Sequence, residues 1–243
     1  MSSKQSKPYS AFSTLYNNVM QDVPYQRWAS YIFHAFDEAG IDIDDTILEM
    51  AAGTGLLTEK IAPRYPRWIA SDISREMVLH NRAAAKIQAD MANLPFADKF
   101  FSAAVTAHDS VNYLASLEKF SDHLSEVARI LKPGGMYIFD VTTIRNVKQN
   151  FHNKEIREKH GNAELIWNNE YNPETRIIES ELLFVTPDDV KRELHVQMVY
   201  TRKEIETLLR KHGFRIIRKD ADYMRGSPAA FARLLVFVTE KKG

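Results

Sequence analysis

The chain has 243 residues, 44% hydrophobic and 26% charged, with 32 basic side chains against 32 acidic ones. That length supports one large domain, or a domain with a small insert. The balanced charge argues against a broad nucleic-acid footprint. The absence of cysteine excludes disulfides, thiolate catalysis and cysteine-ligated zinc. No apolar leader and no membrane-length run is visible, so a cytoplasmic protein without a membrane partner is expected.

Residues 1–10 are polar and expected to fray. From Ala11 to Ala39 the spacing of Phe12, Leu15, Tyr16 and Val19, then of Trp28, Tyr31, Ile32 and Ala35, predicts helix. Pro24 splits it in two and Gly40 stops it. An alternation follows. TILEM reads as a strand and LLTEKIAPRY as a helix ending near Pro63. RWIAS is a strand, REMVLHNRAAA a helix, KIQAD and FSAAVTA strands. SLEKFSDHLSEVARIL is an amphipathic helix stopped by KPGG, and MYIFDVT is the next strand. Strands alternating with helices predict a doubly wound, mostly parallel α/β sheet.

The rhythm changes after Thr143. ELIWNNEY, RIIESELLFV and ELHVQMVY are strand-like, with a turn signal at NPET. They predict a small antiparallel sheet over 144–200, inserted between the two parts (1–143 and 201–243) of an α/β domain. TRKEIETLLRKHG is then a helix with Thr201 as N-cap and Gly213 after its end, and FRIIRKD and ARLLVFVTE close the chain as strands.

The stretch LEMAAGTGLLTEK places a glycine turn between a strand and a helix. A dinucleotide turn wants Gly-x-Gly-x-x-Gly, but Thr58 stands where the third glycine belongs, which weakens a nicotinamide reading. A phosphate-binding loop would need Gly-Lys-Ser/Thr. Three acids sit at successive strand ends: Glu49, Asp72 and Asp90. A pyrophosphate would tolerate that ring poorly, whereas a cofactor carrying a sulfonium and an ammonium and no phosphate would be favoured by it. Asp72 suits a ribose diol, with Ser74 free to cap the next helix in its place.

Glu49-Met50-Ala51-Ala52-Gly53-Thr54-Gly55 resembles motif I of the class I S-adenosylmethionine-dependent methyltransferases. The resemblance continues in order through ASDIS with Asp72, QADMANLPF with Asp90 and Met91, AHDSVNYL, and LKPGGMYIFD, covering residues 46–143. YNNVMQDVPYQRW, HDSVNYL and the antiparallel insert are similar to a bacterial small-molecule subgroup of that family. The resemblance implies a seven-stranded Rossmann-like fold, with S-adenosylmethionine as cofactor and S-adenosylhomocysteine as product. The acceptor would be a small molecule, and the protein a monomer or homodimer. It implies cofactor contacts from Tyr16, Trp28, Glu49, Ala51, Gly53, Thr54, Gly55, Asp72, Ile73, Met77, Asp90, Met91 and His108. Glu49 would meet the ammonium, and Ile73 and Met91 would sandwich the adenine. His108 would also serve as a catalytic base, with Tyr25, Asp109, Asn112 and Tyr113 lining the acceptor site. Ala51 replaces the motif's first glycine, which is expected to need only a small side chain there. Histidine spacing suggests no metal. A cofactor sensor without turnover, or a partner-binding protein, is the competing class. A nucleic-acid methyltransferase would want a basic face and often an Asn/Asp-Pro-Pro-Tyr/Phe motif where this chain reads HDSVNY.

Overall fold

In the computed structural model, which describes residues 5–6 and 16–243, seven strands form the sheet that the alternation predicts. They are β2 (Ile47–Met50), β3 (Trp68–Asp72), β4 (Ala85–Gln88), β5 (Phe101–Thr106), β6 (Leu131–Thr142), β11 (Phe214–Ala221) and β12 (Leu234–Lys241). Their spatial order is β11-β12-β6-β5-β2-β3-β4. The run from β4 to β6 is parallel, and β12 pairs antiparallel with both β6 and β11.

Buried strands show apolar side chains to both faces. Ala103 and Val105 of β5, with Ile138 of β6, pack under helix α2 (Tyr25–Ala39) with Trp28, Ile32 and Phe36. Their neighbours Ala104, Tyr137 and Phe139 face the other way. There they meet Phe120 and Leu124 of α5 (Leu117–Ile130) and Leu209 of α7 (Arg202–Lys211). Pro24 and Gly40 bound α2 as expected, with Gly40 left-handed at φ 69°. Thr201 caps α7 through a reciprocal box with Glu204.

Two helices are shorter than their sequence patterns. The one after the glycine turn, α3 (Thr58–Ile61), is a single turn. α4 (Arg75–His80) ends before Asn81, whose side chain is drawn inward to the glycine turn. The one helix described before α2 is α1 (Tyr16–Val19); Phe12 and Leu15 lie outside the described residues.

A second sheet combines β7 (Lys154–His160), β8 (Ala163–Asn172), β9 (Ile177–Val185) and β10 (Val190–Met198), all antiparallel, with β1 (Gln5–Ser6) laid parallel to β10. Its order is β1-β10-β9-β8-β7. Two of its strands depart from expectation. Gln5–Ser6 were expected to fray and instead pair with Arg192 and Glu193. β7 reads KEIREKH, and its charges hid it from a hydrophobic pattern; such charges suit a sheet edge. The short helix α6 (Ile144–Asn146) leads from the large sheet toward this one. Tyr16, Val19 and Met20 pack on its Leu165, Leu182 and Phe184.

Candidate functional site

The site lies at the carboxyl ends of β2, β3 and β5, where the parallel strands give way to loops. That is the usual ligand position of open α/β sheets. After β2 the backbone turns left-handed three times, at Ala51 (φ 51°), Gly53 (φ 56°) and Gly55 (φ 89°). Two of these positions carry the glycine that such a conformation favours. At Gly55 a Cβ would also come 2.7 Å from the Asn81 side chain, so only glycine fits. Ala51 corrects the sequence expectation: the position demands positive φ, which costs an alanine roughly 1 kcal/mol.

Asp72 ends β3 and ties the turn to it. Its carboxylate accepts from the Gly53 N–H and from the Ser74 N–H, each at 2.8 Å. Ser74 caps α4 by accepting from the Met77 N–H, which leaves Asp72 out of that role. Burial pushes the Asp72 carboxyl up, opposed by these backbone donors. Asn81 closes the turn from the far side, donating to the Gly53 carbonyl at 3.2 Å. Glu49 is buried and accepts from Thr58 Oγ1 at 2.5 Å and Trp68 Nε1 at 2.7 Å. Burial raises its carboxyl to about 7.

Two connected spaces open here. A small chamber is lined by Glu49, Ala52, Tyr25, Leu56 and Ala107. Beside it lies a cleft of about 1170 Å³, and Tyr16, Ala51, His108 and Ser110 line both. The cleft carries Asp72, Ile73, Met77, Asp90 and Met91 along one end. Ile73 is 63% exposed, a large apolar side chain left open beside Asp72. Met91 is anchored from behind by His123 Nδ1 on its carbonyl at 2.9 Å. The opposite end is walled by the second sheet, with Ile156, Trp167, His195 and Gln197, and by Asp109 and Tyr113. Among the described residues no group of acids and histidines is placed to hold a metal ion.

His108 and Asp109 follow β5, both left-handed (φ 60° and 48°). Both backbone N–H groups donate to the Asp140 carboxylate on β6, at 2.9 and 2.5 Å. Asp140 is fully buried and pushed up to about 6, and it also accepts the Tyr223 phenol. The His108 ring meets Trp28 and Tyr25 edge-on, and burial lowers its imidazole to about 4. Such a group is neutral at physiological pH and a weak base. The Asp109 carboxyl is raised to about 8, first by burial and then by Asp140.

Several expected residues stand elsewhere. Trp28 is buried outside the cleft lining, stacked on Tyr223 at 4.6 Å. Thr54 donates its hydroxyl to Asn17 and also lies outside the lining. Asn112 was expected at the acceptor, but its amide is spent on the Met198 carbonyl (2.6 Å) and the Thr142 N–H (3.0 Å), joining β10 to β6. Tyr25, expected at the acceptor, lines the chamber with Glu49 and not the larger cleft. Tyr113 does reach the cleft, and its phenol is 2.9 Å from His195 Nδ1. His195 Nε2 in turn lies 3.1 Å from the buried Glu193 carboxylate. Glu193, His195, Asn81, Asp140 and Tyr223 all escaped the sequence reading. The polar run Glu193, His195, Gln197 at period two was the available signal for the first two, and a charge inside the apolar run YIFDV for Asp140.

Residues 48–139 match a family described as a methyltransferase domain. The chain is 27% identical to "Putative methyltransferase YqeM" of Bacillus subtilis (strain 168), over 96% of this chain and 97% of that protein. Among solved structures it superposes on an S-adenosylmethionine-dependent methyltransferase from Clostridium acetobutylicum ATCC 824, with TM-score 0.85 and 24% identity over 97% and 99% of the two chains. The CcbJ methyltransferase from Streptomyces caelestis shares the fold at TM-score 0.80 and 15% identity, over 96% of each chain. Residues 48–139 are thus similar to a methyltransferase domain, and the chain shares the fold of S-adenosylmethionine-dependent methyltransferases. S-adenosylmethionine is the cofactor of that class.

Proposed function

We propose that this protein binds S-adenosylmethionine along the glycine turn and transfers its methyl group to a small molecule held under the second sheet. The observation that carries the reading is the shared cleft: one end is the turn with Asp72 and Met91, the other is Trp167, His195 and Tyr113. The residues fit the cofactor's chemistry. Asp72 has lone pairs left for a ribose diol beyond its two backbone donors. Ile73, Met77 and Met91 give an apolar bed for adenine. Glu49 and the chamber suit an ammonium-bearing tail, since a cation favours the ionised carboxylate that burial disfavours.

When bound, the cofactor would supply an activated methyl on a sulfonium. The protein's work is alignment and exclusion of water. An acceptor N–H or O–H must also lose its proton. Glu193 as a carboxylate only accepts, so His195 carries its proton on Nε2 and offers Nδ1 to the Tyr113 phenol. The acceptor's proton then passes to the Tyr113 oxygen while the phenol proton moves to His195, and Glu193 stabilises the imidazolium. This relay takes the catalytic part that the sequence pattern suggested for His108.

Thermal unfolding with S-adenosylmethionine, S-adenosylhomocysteine and NAD in parallel tests the reading. Ligand at a hundredfold over its Kd adds about 2.7 kcal/mol, which raises Tm by roughly 5–11 °C for a chain this size. The first two are expected to shift Tm and NAD to leave it unchanged. No shift with any at saturation refutes cofactor binding. Binding without label transfer from methyl-tritiated cofactor to any amine or hydroxyl acceptor would favour a sensor.

A further inference from the structure

We infer that Asp140 is a positioning residue for methyl transfer: it holds the His108–Asp109 turn against the place where the cofactor's sulfonium sits. The inference rests on the cofactor reading above. His108 and Ser110 line both the chamber with Glu49 and the cleft with Asp72. A ligand with its ammonium in the first and its ribose in the second has its sulfur at that junction. The backbone there adopts an unfavourable conformation, two consecutive non-glycine residues with positive φ. Such strain persists only where the surroundings over-determine it. Asp140 supplies the constraint, since one carboxylate receives both N–H groups.

The carboxylate is itself fixed from the opposite side. Tyr223 donates its phenol to the Asp140 oxygen that the His108 N–H also uses. Tyr223 lies in a second left-handed pair, Asp222–Tyr223, and its ring stacks on Trp28. Trp28 in turn meets the His108 ring at 5.4 Å. Backbone and ring of His108 are thus held through one closed circuit, Asp140–Tyr223–Trp28. No member of that circuit other than His108 lines the cleft. An asparagine at 140 would aim its amide N–H₂ at one of the two backbone donors, so the turn could not keep both bonds.

Calorimetric titration of the full chain with S-adenosylmethionine and with S-adenosylhomocysteine, in wild type, Asp140→Asn and Tyr223→Phe, tests this. Ligand-free thermal unfolding of each variant runs beside it. Asp140→Asn is expected to weaken S-adenosylmethionine at least tenfold and S-adenosylhomocysteine less, because only the first carries the sulfonium that the turn faces. Tyr223→Phe keeps the ring stack and the carboxylate charge. It is expected to shift the ratio of the two affinities the same way, two- to fivefold, and it carries the test alone if Asp140→Asn does not fold. A lowered Tm with both affinities unchanged, or reduced by the same factor, would mean that Asp140 only stabilises the fold, and the inference falls. Wild type binding neither ligand refutes the cofactor reading itself, and the inference goes with it.

Discussion

The two ends of the cleft are built by different means. At the glycine turn the working groups are backbone: left-handed residues 51, 53 and 55, and N–H groups tied to the Asp72 carboxylate. At the second sheet they are side chains: Tyr113, His195 and Glu193 in a hydrogen-bonded row, with Trp167 and Gln197 nearby. A backbone site constrains sequence spacing, because glycines and a carboxylate must fall at set offsets. A side-chain site constrains residue identity at positions that only the fold brings together. Substitutions at the two ends should therefore fail differently, the first in cofactor binding and the second in turnover.

The largest effect is expected from Tyr113→Phe and His195→Gln. General acid–base groups contribute about 10²–10⁴-fold to rate. Methyl transfer to an N–H or O–H acceptor should fall at least a hundredfold, while the calorimetric Kd for S-adenosylhomocysteine stays within twofold. A parallel loss of cofactor affinity would show that the two ends are not separable. Asp72→Ala should do the reverse. It strips the Gly53 and Ser74 N–H groups of their partner, and hydrogen bonds to a charged group are worth about 1.5–3 kcal/mol. Affinity for S-adenosylhomocysteine should drop roughly 10- to 100-fold by the same titration. Unchanged affinity would remove Asp72 from the cofactor site.

This contrast explains what could be read in advance. The parallel sheet was legible because its buried strands are continuous apolar runs, and motif I because Glu49, Gly53 and Gly55 keep fixed offsets, with Asp72 at the next strand end. Ser74 as the α4 cap followed from local chemistry alone. The end of the cleft under the second sheet was not legible at that level. Alternation along β10 was visible, but the buried positions are Glu193 and His195, while Leu194 and Val196 stay half-exposed. Hydrophobicity alone assigns such a strand to the wrong face, because here the covered side is polar and hydrogen-bonded. Asn112 failed for a related reason. Its place after β5 suggested the acceptor, yet a buried amide needs partners, and the Met198 carbonyl and Thr142 N–H supply them.

A smaller effect concerns pH. Glu49 and Asp109 are raised to about 7 and about 8, above ordinary carboxylates. Asp140 is raised as well, to about 6. Above about pH 4.5 the unfolded chain has lost these protons while the folded chain keeps them, so the stability these acids contribute declines as pH rises from about 4 through 8. The lowered His108 and His123, each about 4, act oppositely: the unfolded chain protonates first, so they offset the acids between about pH 4 and 6.5. Above about pH 6.5 the histidines are neutral in both states, so ligand-free Tm should fall from about pH 6.5 through 8. A cationic ligand favours the ionised carboxyls, so S-adenosylmethionine should bind with proton release at pH 7, read as a dependence of calorimetric heat on buffer ionisation enthalpy. Proton uptake would contradict the placement of its charges beside Glu49 and Asp109.

The smallest expected effect isolates the backbone character of the cofactor end. Ala51 holds φ 51° and lines both spaces, so its methyl group is strained in the fold. Ala51→Gly removes that strain, worth roughly 1 kcal/mol, but gives the unfolded chain more freedom, which offsets about 0.4–1 kcal/mol. The net change in stability should lie between zero and a gain of a few tenths, under about 2 °C in Tm. A glycine at a position that truly preferred negative φ would instead lower stability by the full entropic amount. The measurement thus separates a residue tolerated against its conformational preference from one suited to its place, and affinity for S-adenosylhomocysteine should stay within twofold because the turn's own geometry is retained.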